Sequence, residues 1–263
     1  MFSSTSPDSV LAVQRFGDGD PVVALHGFTQ TGAQFPLLTI PGRSIVAPDL
    51  PGHGGSTGAS TDAGATIAAI TELLETCGRG TPLVGYSQGA RLALSVATTT
   101  SFRPACLVLI SGTAGIQDPQ ERETRHAADV SLGKDIKAVG IERFIDRWTS
   151  SGLTDTSTLP APQREADRTQ RLTNTAEGLA SALAGYGQGS LDPVWGKLGT
   201  LEMPVLILTG ERDTKYTAIG AELAASIGDT AEHLVIHGAS HNPLAEHPRA
   251  VSAIISGFLD GNG

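Results

Sequence analysis

A serine flanked by glycines, Gly85-Tyr86-Ser87-Gln88-Gly89, follows the apolar run Pro82 to Val84 and precedes the small-residue stretch Ala90 to Ala97. In the order strand, turn, helix, such a serine sits on a strained turn with its hydroxyl exposed, and the flanking glycines keep side chains off the neighbouring strand and helix. A hydroxyl is a poor nucleophile or base until an imidazole takes its proton, and the imidazole needs a carboxylate to hold its tautomer. Candidates for both follow in the chain. Asp213 closes Gly210-Glu211-Arg212-Asp213, just after the run Leu206 to Thr209, and His241 closes Gly238-Ala239-Ser240-His241, just after Leu234 to Ile236. Glu211 is the alternative acid, but it lies nearer the strand end than such a carboxylate usually does. The rival reading of the Ser87 motif, a glycine-flanked helix cap, leaves Asp213 and His241 unexplained.

A reaction at such a hydroxyl develops negative charge, which two backbone amides stabilise best. The Gln88 amide opens the helix after Ser87, and Phe28, in His26-Gly27-Phe28, is the candidate for the second donor. His26 reads either as another catalytic histidine or, preferably, as an anchor for its own loop. Asp49 and His53, in the Gly/Pro-shaped turn Asp49 to Ser56, read as turn-stabilising; His233 and His237 read as structural, and His247 as part of a helix N-terminus. No histidine or cysteine spacing resembles a zinc site, so no metal is expected.

These residues need a scaffold that brings strand ends together. Short apolar runs recur at Val22–Leu25, Ser44–Ala47, Leu83–Gly85, Leu107–Ile110, Val205–Leu208 and Leu234–Ile236, with a more alternating stretch at Val10–Arg15 that suits an edge strand. Runs apolar on both faces predict parallel strands, and the helical patterns between them, such as Thr61 to Cys77 and Ser87 to Ala97, predict a doubly wound α/β sheet with its ligand at the strands' carboxyl ends. Between Ser111 and about Leu201 only helical patterns occur: Pro119 to Leu132, Ile136 to Thr149 and Arg164 to Leu183. Roughly 80 residues is far more than a strand-to-helix connection needs, which predicts a helical insertion. The expected division is a core of 1–114 and 191–263 with a helical cap at 115–190, returning through Gly185 to Gly189 and Asp192-Pro193.

Composition narrows the classes further. The 263 residues suit one large α/β domain, and 32 glycines without a collagen-like period imply many tight turns. A net charge of −9 argues against a nucleic-acid binder and means that an acidic substrate needs a local nest of cations. Cys77 and Cys106 are too few for a disulfide framework. Met1 to Thr5 lacks the basic and apolar regions of a leader, and no run reaches membrane-spanning length. A cytoplasmic protein, without membrane insertion and either monomeric or homodimeric, is the resulting expectation.

His26-Gly27-Phe28, the Asp49 to Ser56 turn, the Ser87 motif, Asp213 and His241 together resemble the α/β-hydrolase superfamily over nearly the whole chain. Gly85 to Arg91, Gly115-Ile116-Gln117 followed by Glu121 to Arg125, and Gly210 to Tyr216 are similar, more narrowly, to the 2-succinyl-6-hydroxy-2,4-cyclohexadiene-1-carboxylate synthases of menaquinone biosynthesis. That family usually has Leu or Met where this chain has Gln88, and Gly where it has Ala90. The first departure leaves the Gln88 amide in place, and the second is a small change on the helix's packed side.

Arg91 lies one helical turn beyond Ser87 and therefore on its face of the helix. It either pairs with a carboxylate elsewhere or faces an anionic ligand. The resemblance implies the second, with Arg91, Arg125 and Arg171 gripping the carboxylates of a small polycarboxylate substrate and Arg122 ranked below Arg125. Guanidinium forks suit that task. Tyr86 would hydrogen-bond the substrate, and Trp148 would either line the pocket or pack cap against core. The implied activity is a cofactor-independent lyase that eliminates pyruvate from 2-succinyl-5-enolpyruvyl-6-hydroxy-3-cyclohexene-1-carboxylate, with Ser87, His241 and Asp213 as the base system. The alternatives are a serine hydrolase of an ester, thioester or carbon–carbon bond working through an acyl-enzyme, and a receptor that binds without turnover.

Overall fold

A computed structural model describes residues 10–150 and 152–262; the Met1 to Thr5 segment, on which the expectation of no leader rests, lies outside the described residues. Seven strands, β1 (Val13–Phe16), β2 (Asp20–Leu25), β3 (Arg43–Pro48), β4 (Leu83–Tyr86), β5 (Leu107–Ile110), β6 (Val205–Gly210) and β7 (Ala231–Ile236), form one sheet in the order β1-β3-β2-β4-β5-β6-β7. Only β1 runs antiparallel, at the edge beside β3; every other pairing is parallel. Every residue of β4, β5 and β6 is buried, because helices cover both faces. Alternate side chains serve opposite layers. Leu83, Leu107, Leu109, Val205 and Ile207 pack with α1 (Ala63–Cys77) and α2 (Gln88–Thr99), whereas Val84, Val108, Ile110, Leu206 and Leu208 pack with Phe35, Leu244, Ile255 and Leu259.

Between β5 and β6 lie α3 (Pro119–Val139), α4 (Ile141–Trp148), α5 (Ala161–Arg171) and α6 (Ala176–Tyr186). They close a small core of their own around Ile136, Phe144, Ile145, Leu179 and Leu183, which Phe28 and Trp148 join. After β6 come α7 (Thr214–Ile227), then, beyond β7, α8 (Pro243–Glu246) and α9 (Pro248–Asn262). No described helix is long and apolar enough to cross a membrane.

Three boundaries in the helical segment differ from the sequence reading. The first helix continues through Gly133 to Val139, and the break falls at Gly140, whose φ of 82° is cheap only for glycine. Gly133 is instead the point of closest approach to α6, where a Cβ would lie 3.2 Å from Ala180 Cα. The long pattern from Arg164 to Leu183 is two helices, interrupted at Asn174 because its Nδ2 donates to Thr29 O (2.7 Å) and Arg171 O (2.9 Å) while its Oδ1 accepts from the Gly54 amide (2.9 Å). Nor is Gly185 to Gly189 a loose return hinge. Gly185 and Tyr186 end α6, and the buried Tyr186 hydroxyl donates to Pro51 O at 2.5 Å, tying this segment to the turn after β3.

Candidate active site

Ser87 stands between β4 and α2 with φ 50° and ψ −105°, a conformation that costs a non-glycine residue about 1–3 kcal/mol. The turn is tight because nothing larger fits beside it. A Cβ on Gly85 would lie 2.5 Å from Gly89 O, and one on Gly89 would collide with the carbonyl of Leu25 on β2. The Ser87 amide donates to Ile110 O at 2.8 Å, which pins the turn to β5.

The Ser87 hydroxyl donates to His241 Nε2 at 3.0 Å, and His241 Nδ1 donates to Asp213 Oδ2 at 2.6 Å. Asp213 is positioned by capping α7, its Oδ1 accepting from the Tyr216 amide at 3.2 Å. Both His241 and Asp213 are buried, so water does not compete for the line of bonds. Glu211, by contrast, turns outward, binding His237 and the Gly238 amide at the surface.

The other histidines hold loops. Leu50 N donates to His26 Nε2 at 2.9 Å, which places the His26 proton on Nδ1, where it is donated to Gly27 O at 2.8 Å. Burial lowers the pKa of His26 to about 4 and that of His53, beside it, to about 3, so both are neutral braces. Asp49 accepts from the Gly32 and Gly55 amides, each at 2.8 Å, and so ties two loops together. His233 bonds Thr209 Oγ1, and the His247 carbonyl receives the Val251 amide in the first turn of α9.

Above Ser87 opens a cavity of about 440 Å³. Phe28, Tyr86, Gln88 and Trp148 line it, with Trp148 edge-on to Phe28 at 5.6 Å between ring centroids; Trp148 both forms wall and packs against the core loop. Gln88 is the first residue of α2, where a helix leaves its amides without intrahelical acceptors, and the Phe28 amide donates to no acceptor among the described residues. Burial keeps the Tyr86 phenol protonated far above neutrality.

Arg91, Arg125, Arg147, Arg171 and Lys215 also line this cavity, and no Asp or Glu does. Arg122 is not part of the wall. Arg125 Nε pairs with Asp129 (2.8 Å) and its NH1 donates to Gln188 Oε1 (2.7 Å). Arg171 Nε pairs with Asp167 (2.7 Å), and its NH1 donates to Thr29 Oγ1. Arg147 pairs with Asp135. Arg91 has no ion pair or side-chain hydrogen bond among the described residues, and burial, then the nearby Arg125, lowers its pKa. Arg147, Lys215, Gln30 and Gln188 were not singled out in the sequence; Lys215, two residues beyond Asp213, was the most visible of them.

A mostly parallel sheet with an acid–histidine–serine line at its carboxyl edge defines a class, and the family model described as the Alpha/beta hydrolase family matches residues 22–254. The chain belongs to that family. Among its relatives, a Bacillus subtilis (strain 168) protein provisionally named 2-succinyl-6-hydroxy-2,4-cyclohexadiene-1-carboxylate synthase is 33% identical over 91% of this chain and 90% of its own. The synthase of that name from Klebsiella pneumoniae subsp. pneumoniae is 29% identical over 94% of this chain and 97% of its own. The structure of MenH from S. aureus superposes with a TM-score of 0.87 at 26% identity, covering 95% of this chain and 98% of that one.

Proposed function

We propose that this protein is a cofactor-independent lyase of menaquinone biosynthesis, releasing pyruvate from 2-succinyl-5-enolpyruvyl-6-hydroxy-3-cyclohexene-1-carboxylate. The observation that carries this reading is the cavity wall. A chain of net charge −9 gathers five basic side chains and no acidic one around Ser87, with Arg91 left unpaired. A neutral ester needs no such wall; a substrate with several carboxylates does. The names of the relatives point to the same chemistry.

In this reading Ser87 Oγ takes the proton from carbon as its own proton moves to His241 Nε2, and Asp213 stabilises the imidazolium. The electron pair released forms the ring double bond, the carbon–oxygen bond to the enolpyruvyl group breaks, and the leaving group is protonated to pyruvate. The Phe28 and Gln88 amides face the developing negative charge, Tyr86 donates to the substrate, and Arg91, Arg125 and Arg171 hold carboxylates. Residues 115–190 act as the cap that closes this space. The test follows pyruvate by a coupled dehydrogenase assay alongside mass spectrometry of the protein. Pyruvate release with no acyl adduct on Ser87, abolished in Ser87→Ala, is expected; ester hydrolysis with a stoichiometric adduct and no pyruvate would overturn the reading in favour of a serine hydrolase.

A further inference from the structure

Two carboxamides in the cavity wall remain without a task. Gln30 and Gln88 are each only 1% exposed, and the Nε2 and Oε1 atoms of both have no hydrogen-bond partner among the described residues. Burying a carboxamide without partners is unfavourable, and native cores rarely leave one so. Both side chains belong to residues that line the cavity beside Ser87. They also flank one junction of the fold. Gln30 Oε1 lies 3.1 Å from where a Cβ on Gly27 would stand, and α2 approaches the same loop so closely that a Cβ on Gly89 would lie 2.7 Å from His26 O.

We propose that Gln30 and Gln88 form a neutral subsite that hydrogen-bonds an uncharged oxygen of the substrate, a ketone or hydroxyl borne near the carbon that loses its proton. A carboxamide suits this because it offers two N–H donors and one acceptor and carries no charge at any working pH. The division of labour is then chemical: guanidinium groups recognise carboxylates, and the two glutamines recognise the oxygen that is not ionised. A site built to hydrogen-bond such an oxygen discriminates against analogues that lack it, since its own buried polar groups are then left unpaired. The inference rests on the polycarboxylate reading given above and extends it to the substrate's neutral oxygens.

The test uses two dicarboxylates of equal length, 2-oxoglutarate and glutarate, which differ only in a ketone. Their binding to the full-length protein is measured by calorimetry, for the wild type and for Gln30→Leu and Gln88→Met. The expected result is that the wild type prefers 2-oxoglutarate by about fivefold, the scale of one neutral hydrogen bond, and that each substitution collapses the preference toward unity. Glutarate binding then stays unchanged, which also reports that each variant is folded. Equal binding of the two ligands by the wild type, or a preference retained in both variants, overturns the subsite and leaves the polycarboxylate reading standing. Failure of the wild type to bind either ligand overturns that reading and the subsite with it.

Discussion

Arg91 stands one helical turn beyond Ser87, its amide donating to the Ser87 carbonyl at 3.2 Å, so the unpaired guanidinium and the hydroxyl share one face of α2. A buried cation without a counter-charge works against folding, and burial accordingly lowers the Arg91 pKa. The position therefore sets stability against function. Arg91→Met is expected to raise the thermal midpoint while lowering kcat/KM for pyruvate release by about 2–4 kcal/mol, because a desolvated carboxylate is left unpaired. Hydrolysis of a neutral ester should hardly change. Comparable losses in both activities would show that Arg91 serves the site's architecture and not a carboxylate.

His26 and His53 are neutral in the fold, with pKa values of about 4 and about 3, whereas in the unfolded chain each titrates near 6.5. A lowered histidine pKa means that the unfolded state binds the proton first, so stability falls as pH drops below about 6.5 and keeps falling until the folded-state values are reached. Between pH 7 and pH 5 each histidine is expected to withdraw about 2 kcal/mol. Urea midpoints at the two pH values measure this, and His53→Gln should flatten the dependence by its share. A stability independent of pH over that range would contradict the neutral, buried state of both rings.

Asp167 and Asp135 each pair with a cavity arginine but in different surroundings. In the Asp167–Arg171 pair the side chains are 11% and 5% exposed; in the Asp135–Arg147 pair they are 41% and 53% exposed. Removing one partner of a buried pair strands the other charge, at a cost of about 3–5 kcal/mol, whereas exposed pairs contribute about 0–1 kcal/mol. Asp167→Ala should therefore destabilise strongly and Asp135→Ala scarcely, as read from denaturant midpoints. Similar effects from the two would mean that Arg171 reaches water once its partner is gone.

The sheet was readable from residue types because parallel strands are apolar on both faces, and the runs around Val84, Val108 and Leu206 admit few other elements. Ser87, Asp213 and His241 were readable because each follows a strand end in the order this relay uses. The helical segment was less so. Gly133 and Gly140 look alike in sequence, yet one is a crossing point between helices and the other a left-handed break, a difference set by contacts with Ala180 far along the chain. Asn174 reads as an ordinary helical polar residue until Thr29 and Gly54 come within reach. The pairing of Arg125 and Arg171 with nearby aspartates, and the lack of such a partner for Arg91, likewise depend on which way each long side chain turns.

Gly178 and Gly185, seven residues apart on α6, seat the helical segment directly on core backbone: a Cβ on the first would collide with Gly52 O and one on the second with Thr61 O. Backbone carbonyls cannot rotate away as side chains do, so any side chain at Gly185 must push α6 outward. Leu183, on the same helix, belongs to the cavity wall, and the displacement would reach the substrate space. Gly185→Ala is thus expected to destabilise by about 1–3 kcal/mol despite alanine's better helix propensity, and to raise KM for the polycarboxylate more than it lowers kcat. Gly196→Ala, where no atom lies within 4 Å of the new Cβ, serves as the control and should leave both parameters unchanged. A Gly185→Ala protein with wild-type KM and stability would mean that α6 is free to shift on the core and that its seat does not set the width of the cavity.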